Sequence, residues 1–153
     1  MKIIDFLDVG RIIPNLKGRD KNAVLKELAE RMSSQERSMD SQKVFEILLE
    51  RETVSSTAIG EGVAIPHGKM VGVRNLYGLF ARSPEGVDFN SLDGGPTYLF
   101  FLLIAPEDSA ADHLKALARI SRLLKDTAFR ARLMKGKTKE DLFNAIKEED
   151  GKF

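Results

Sequence analysis

The chain has 153 residues, with 24 basic and 23 acidic side chains, a net charge of +1 at pH 7 and no cysteine. The missing thiol excludes a disulfide framework, a cysteine-built zinc site and a sulfur nucleophile. The near-zero charge, free of like-charge blocks, gives no reason to expect nucleic acid or an anionic membrane as partner.

One domain over residues 1–153 is expected, large enough to bury about two-thirds of its unfolded surface. Met1 to Asp8 is too short and too interrupted by acid for a signal sequence. The longest apolar run, Leu99 to Ala105, falls far short of a bilayer span. A cytoplasmic location without membrane insertion is the expectation.

Asp20 is placed to cap a helix whose apolar face is Val24, Leu25, Leu28, Ala29 and Met32. Asp40 or Ser41 opens a second, with Val44, Phe45, Leu48 and Leu49 on one side and Glu50, Arg51 and Glu52 at its end. Ser55, Ser56 and Thr57 read as a polar turn. The apolar run Val63 to Ile65 then reads as a strand that stops at Pro66, because proline lacks the backbone donor. Leu76 to Ala81 reads as another strand, and Ser83-Pro84-Glu85-Gly86 as the turn after it.

Asp93-Gly94-Gly95-Pro96 launches the run Thr97 to Ala105, which shows no polar alternation. Such a strand is buried on both faces, with helices covering each side. Ser109 to Asp112 reads as a capping box for a helix apolar at Leu114, Leu117, Ile120 and Leu124. A shorter helix follows over Ala128 to Met134, and Thr138 caps a last one bearing Leu142, Phe143 and Ile146. Helices before, between and after strands imply an α/β fold, a three-layer α/β/α sandwich with a mixed central sheet. Strand order is not legible.

The chain has only two histidines. His67 follows Pro66 at an expected strand end and precedes Gly68, which allows a sharp turn and close approach of a partner. Imidazole is nucleophilic and near-neutral around pH 7. His113 falls in the first turn of the Ser109 helix, on the edge of its buried stripe and pointing toward the sheet. If the strands feeding these positions run parallel, both rings reach one crevice near the strand carboxyl ends. A partly buried structural histidine is an equal reading of His113, and a surface turn the plain reading of His67.

Arg51 by itself is as readily a solvated helix-end cation as a clamp for phosphate oxygens. Lys69 reads as a solvated rim charge. Glu61 and Glu52 are the acids close to His67 in sequence and are candidates to orient it, but they make no hydrolase dyad. Neither a Walker loop nor a dinucleotide fingerprint is present, and two histidines at this spacing form no recognised metal motif. No cofactor or metal is expected.

The stretch from Arg51 through Ser56-Thr57-Ala58-Ile59-Gly60 to Ala64-Ile65-Pro66-His67-Gly68 resembles the enzyme IIA component of the phosphoenolpyruvate-dependent phosphotransferase system, fructose–mannitol type. The block Phe100 to Glu107, followed by His113-Leu114-Lys115-Ala116-Leu117-Ala118 and Ser121-Arg122-Leu123-Leu124, fits the same family. Ala58, where members often have glycine, is a departure expected to stiffen the turn. The segment Arg82 to Phe89 looks more like the nitrogen-regulatory IIA branch than the sugar-specific one.

That resemblance implies a phosphocarrier. His67 would accept the phosphoryl group, with tele-phosphohistidine the candidate product, although the sequence itself does not choose the ring nitrogen. His113 and Arg51 would be the other active-site residues, and Ser56 and Thr57 would help bind the phosphoryl group. The implied donor is a histidine phosphocarrier protein (HPr or its nitrogen-branch paralogue). The implied recipient is a IIB domain or a regulatory target protein. With no cysteine in the chain, a IIB nucleophile would sit on another polypeptide, making this a free-standing IIA. A sugar-specific IIA and a non-catalytic regulatory docking module are the alternatives, and a histidine-dependent hydrolase is a weaker third.

Overall fold

One strand organises the molecule, because both of its faces are apolar and must be covered. In the computed structural model, which describes residues 1–152, this is β6 (Thr97–Pro106). Phe100, Leu102 and Ile104 pack into one core with Val24, Leu28 and Leu48. Leu99, Phe101 and Leu103 face the other way, into a core with Ile120, Leu133 and Ile146. The expected three-layer α/β/α arrangement is therefore observed, with α1 (Lys21–Gln35) and α2 (Ser41–Val54) on one side. The other side carries α3 (Ala110–Leu124), α4 (Thr127–Lys135) and α5 (Lys139–Asp150).

The sheet is mixed. Its order begins with β1 (Ile12–Ile13), then β5 (Tyr77–Val87), β6, β3 (Val63–Ala64) and β2 (Ala58–Gly60). β4 (His67–Met70) also pairs with β6. β5 runs antiparallel to β6, whereas β3 and β4 run parallel to it.

Caps follow the sequence at three of the expected helix starts. Asp20 accepts from Ala23 N at 2.8 Å, Asp40 from Lys43 N at 3.0 Å, and Thr138 and Asp141 form a reciprocal box. At Ser109 the expected box is absent. Its hydroxyl donates back to the Pro106 carbonyl at 2.8 Å and leaves the first turn of α3 without a side-chain cap. The buried stripe of α3 is also rotated from the expected one, running through His113, Ala116, Ile120, Leu123 and Leu124, while Leu114 is 68% exposed.

Two expected strand ends are not ends. Ser83 to Gly86 lies within β5 as a register shift between Arg82 and Val87, so extra residues are absorbed as a bulge. Pro66 interrupts pairing without ending it, since Val63 lies opposite Leu99 and His67 opposite Leu103 in continuous register. The Pro66 carbonyl still accepts from Leu103 N at 3.0 Å. Proline removes only a donor, and the neighbouring pairs carry the ladder across it. Ala58 likewise sits in β2 opposite Ala64, rather than in a turn to be stiffened.

Candidate active site

His67 opens β4 alongside Leu103, inside the sheet rather than beyond its carboxyl edge. Side chains alternate along a strand, so His67 and Gly68 face opposite layers. A Cβ on Gly68 would stand 2.3 Å from Ile47 Cγ2 of α2. Gly68 therefore serves close packing of a helix on the strand, not the sharp turn or partner approach expected of it. Its neighbour's imidazole is turned to the α3 side.

There it meets His113. The two ring centroids are 5.5 Å apart and the planes are inclined by 78°. The parallel course of β4 and β6 achieves this, because α3 starts shortly after β6 ends and its first turn overhangs β4. His113 is 6% exposed, whereas His67 is half-buried.

The two rings differ in their hydrogen bonding. His67 Nδ1 lies 2.7 Å from the Ile65 carbonyl oxygen. A carbonyl can only accept, so Nδ1 carries the proton and Nε2 the lone pair. His113 Nε2 is buried and has no hydrogen-bond partner among the described residues. Burial depresses the pKa of His67 below the usual 6.5. The Arg51 guanidinium lowers it further, while the Ile65 hydrogen bond and the Glu52 carboxylate oppose the shift. His113 is pushed down to about 4 by burial, by His67 and by Lys69. Both shifts favour the neutral form of the imidazole.

Arg51 lies in the last turn of α2 and donates from Nη1 to the Ser55 carbonyl at 2.9 Å. Its charge bears on His67, so it belongs to the same neighbourhood. Lys69 is exposed, as expected of a rim charge, yet it too acts on the pair through His113. Ser56 and Thr57 are engaged elsewhere. The Ser56 hydroxyl donates to the Phe89 carbonyl at 2.9 Å, and the Thr57 hydroxyl donates to Glu52. Glu61 pairs with Arg130 at 3.0 Å on the hairpin between β2 and β3.

A neutral imidazole with a free Nε2, beside a second neutral imidazole and a guanidinium, can attack an electrophile and donate to the oxygens it carries. Among the described residues, no group of three or more His, Asp or Glu side chains is arranged to hold a metal ion.

A model of the family described as phosphoenolpyruvate-dependent sugar phosphotransferase system, EIIA 2, matches residues 5–149. The chain belongs to this EIIA family, a component of a phosphotransferase. A nitrogen regulatory protein of Bradyrhizobium diazoefficiens is 43% identical over 146 residues, which cover 95% of each chain. The fructose-specific EIIABC component of Bacillus subtilis is 37% identical over 98% of this chain, which spans 24% of that protein's length. The crystal structure of nitrogen regulatory protein IIA-Ntr from Neisseria meningitidis superposes with a TM-score of 0.88 at 31% identity, covering 94% of this EIIA chain and 98% of the other. No helix among the described residues of the EIIA chain is long and apolar enough to cross a membrane.

Glu52 was expected only as an acid able to orient His67, and its partners Lys21 and Thr57 were not foreseen. A signal for the pairing with Lys21 existed. A helix macrodipole disfavours acid at the carboxyl end and base at the amino end. Glu52 in the last turn of α2 and Lys21 at the first position of α1 are both misplaced by that rule, and they pair with each other at 2.8 Å.

Proposed function

We propose that this EIIA chain is a phosphocarrier that takes a phosphoryl group onto His67 Nε2 from a histidine phosphocarrier protein, in a nitrogen-regulatory branch. The observation that carries this reading is the 2.7 Å contact between His67 Nδ1 and the Ile65 carbonyl. It commits the proton to Nδ1 and leaves the lone pair on Nε2 of a half-buried ring.

Phosphoryl transfer passes through a loose in-line transition state, so the protein's work is positioning and charge stabilisation. The Nε2 lone pair forms a bond to phosphorus as the donor's nitrogen–phosphorus bond breaks, and that electron pair stays with the donor ring. The His67 ring becomes cationic, with Nδ1–H held on Ile65. His113, in the tautomer protonated at Nε2, donates to a phosphoryl oxygen and so satisfies an atom that otherwise lacks a partner. Arg51 supplies positive charge to the same oxygens. Ser56 and Thr57 rank below these, because each hydroxyl must leave its present acceptor, Phe89 O or Glu52, before it can donate to phosphate.

The experiment is label transfer from phosphoenolpyruvate through the upstream enzymes. The wild type acquires an acid-labile phosphoryl group and His67→Ala acquires none. A robust acid-labile phosphoprotein in that variant rejects His67 as acceptor.

The 37% identity to a fructose-specific component supports a second reading, onward donation to a IIB cysteine on another polypeptide in sugar uptake. Rapid loss of label to a fructose-type IIB domain distinguishes it. Both readings place the chain in the cytoplasm, acting as one domain, where its donor resides.

A further inference from the structure

Beyond the two histidines and Arg51, a buried polar chain leads to the face of His67 opposite its free nitrogen. Glu52 is 8% exposed and its carboxylate bonds with Lys21 and Thr57. Lys21 Nζ lies 2.8 Å from Oε1, Thr57 N donates to Oε1 at 3.0 Å, and the Thr57 hydroxyl donates to Oε2. The Lys21 ammonium also sits over the Phe89 ring, 4.9 Å from its centroid. The Thr57 carbonyl then accepts from Ile65 N at 3.1 Å, and the Ile65 carbonyl accepts from His67 Nδ1.

We propose that Glu52 is a positioning residue for His67, acting through Thr57 and the Ile65 backbone to hold the imidazole in its Nδ1–H tautomer. The inference rests on the reading of His67 as phosphoryl acceptor.

A buried ion pair gives little net stability against apolar side chains of the same volume, so fold stability alone does not account for Lys21–Glu52. Its geometry does account for Ile65. Thr57 is the point where the chain leaves α2 for β2, and two donors on one carboxylate fix it there. Ile65 is thereby pinned at its N–H by Thr57, and the residue after it is pinned by Pro66 O to Leu103 N. The peptide unit joining Ile65 to Pro66 carries no N–H, so the Ile65 carbonyl is its one hydrogen-bonding group. Its aim is set by Glu52 on one side and β6 on the other.

The two neutral tautomers of imidazole are close in free energy, so one well-aimed hydrogen bond shifts their ratio by about tenfold. Loosening that bond converts attacking Nε2 into Nε2–H. The Glu52 charge acts in the same direction, since it favours the cationic ring that forms as phosphorus bonds to Nε2.

The test uses the full chain carrying Glu52→Gln, with Thr57→Val as a second variant that keeps the Glu52–Lys21 pair but removes the hydroxyl contact. Imidazole ¹⁵N shifts near neutral pH report the tautomer of His67, and uptake from the phosphorylated histidine carrier is measured at limiting and saturating carrier. We expect the Nε2–H form of His67 to rise severalfold in both variants. For Glu52→Gln, kcat falls about tenfold or more with KM for the carrier unchanged. Variants that melt earlier but keep the wild-type tautomer ratio and kcat overturn the proposal. A tautomer shift in a protein that takes up no phosphoryl group even as wild type supports the positioning role and overturns the acceptor reading instead.

Discussion

His67 and His113 stand 5.5 Å apart with their planes at 78°, and the buried ring is the one whose Nε2 has nothing to bond. A buried polar atom without a partner costs free energy comparable to a lost hydrogen bond. Under the proposed function, a phosphoryl group on His67 supplies the partner that His113 Nε2 lacks.

This asymmetry separates the roles of the two histidines. Under the proposed function, His113→Ala leaves the His67 ring in place but removes a hydrogen-bond donor to the transferring phosphoryl group. Uptake on His67 should slow by about 100-fold, the scale of losing one preorganised donor, while the final extent of labelling is retained. Stopped-flow or quenched-flow phosphotransfer checks this, and complete loss of the acid-labile product would assign the acceptor to His113.

Stability should depend on pH through the same two rings. Folding lowers both pKa values below 6.5, His113 to about 4, so the unfolded chain binds protons where the folded one does not. The stabilising contribution is complete above pH 6.5 and is lost as pH falls through about 4. For His113 it is on the order of 3 kcal/mol. Denaturant titrations across this window should show the slope, and His113→Gln should flatten it.

Gly68→Ala places a methyl group 2.3 Å from Ile47 Cγ2, a branch atom that cannot swing away freely. Overpacking of this kind costs about 1–3 kcal/mol and would displace β4, and His67 with it. Both the midpoint of unfolding and the rate of phosphoryl uptake should fall, and Ile47→Ala in the same chain should restore much of each.

Arg82 supplies a contrast remote from the histidines. Its buried guanidinium donates to the carbonyls of Pro14, Leu133, Met134 and Gly136, closing the end of α4 against the sheet. Arg82→Met orphans those carbonyls and should destabilise the fold by roughly 3 kcal/mol. Phosphotransfer per folded molecule should be unchanged. Equal losses of stability and specific activity would contradict that separation.

The layers, the helix starts at Asp20, Asp40 and Thr138, and the doubly buried strand at residues 97–105 were legible because each rests on local chemistry or on one uninterrupted apolar run. The meeting of the two histidines was legible only as a condition, that their strands run parallel, since pairing direction is a long-range property. Pro66 and Ser83 to Gly86 misled for a common reason. A proline or a turn signal marks a disturbance of the ladder, and only the neighbouring strand decides whether pairing resumes beyond it. The Ser109 cap failed because Pro106 offered a competing acceptor three residues back. Glu52 was legible only as an acid near His67, because its partner Lys21 is brought to it by tertiary packing of α1 on α2.

The measurement that tests the account most directly is ³¹P and ¹⁵N NMR of the protein after phosphorylation through its upstream carrier. A phosphorus–nitrogen coupling to His67 Nε2, with Nδ1 still protonated against the Ile65 carbonyl, is the predicted result. Phosphorus on His67 Nδ1, or on His113, would contradict it.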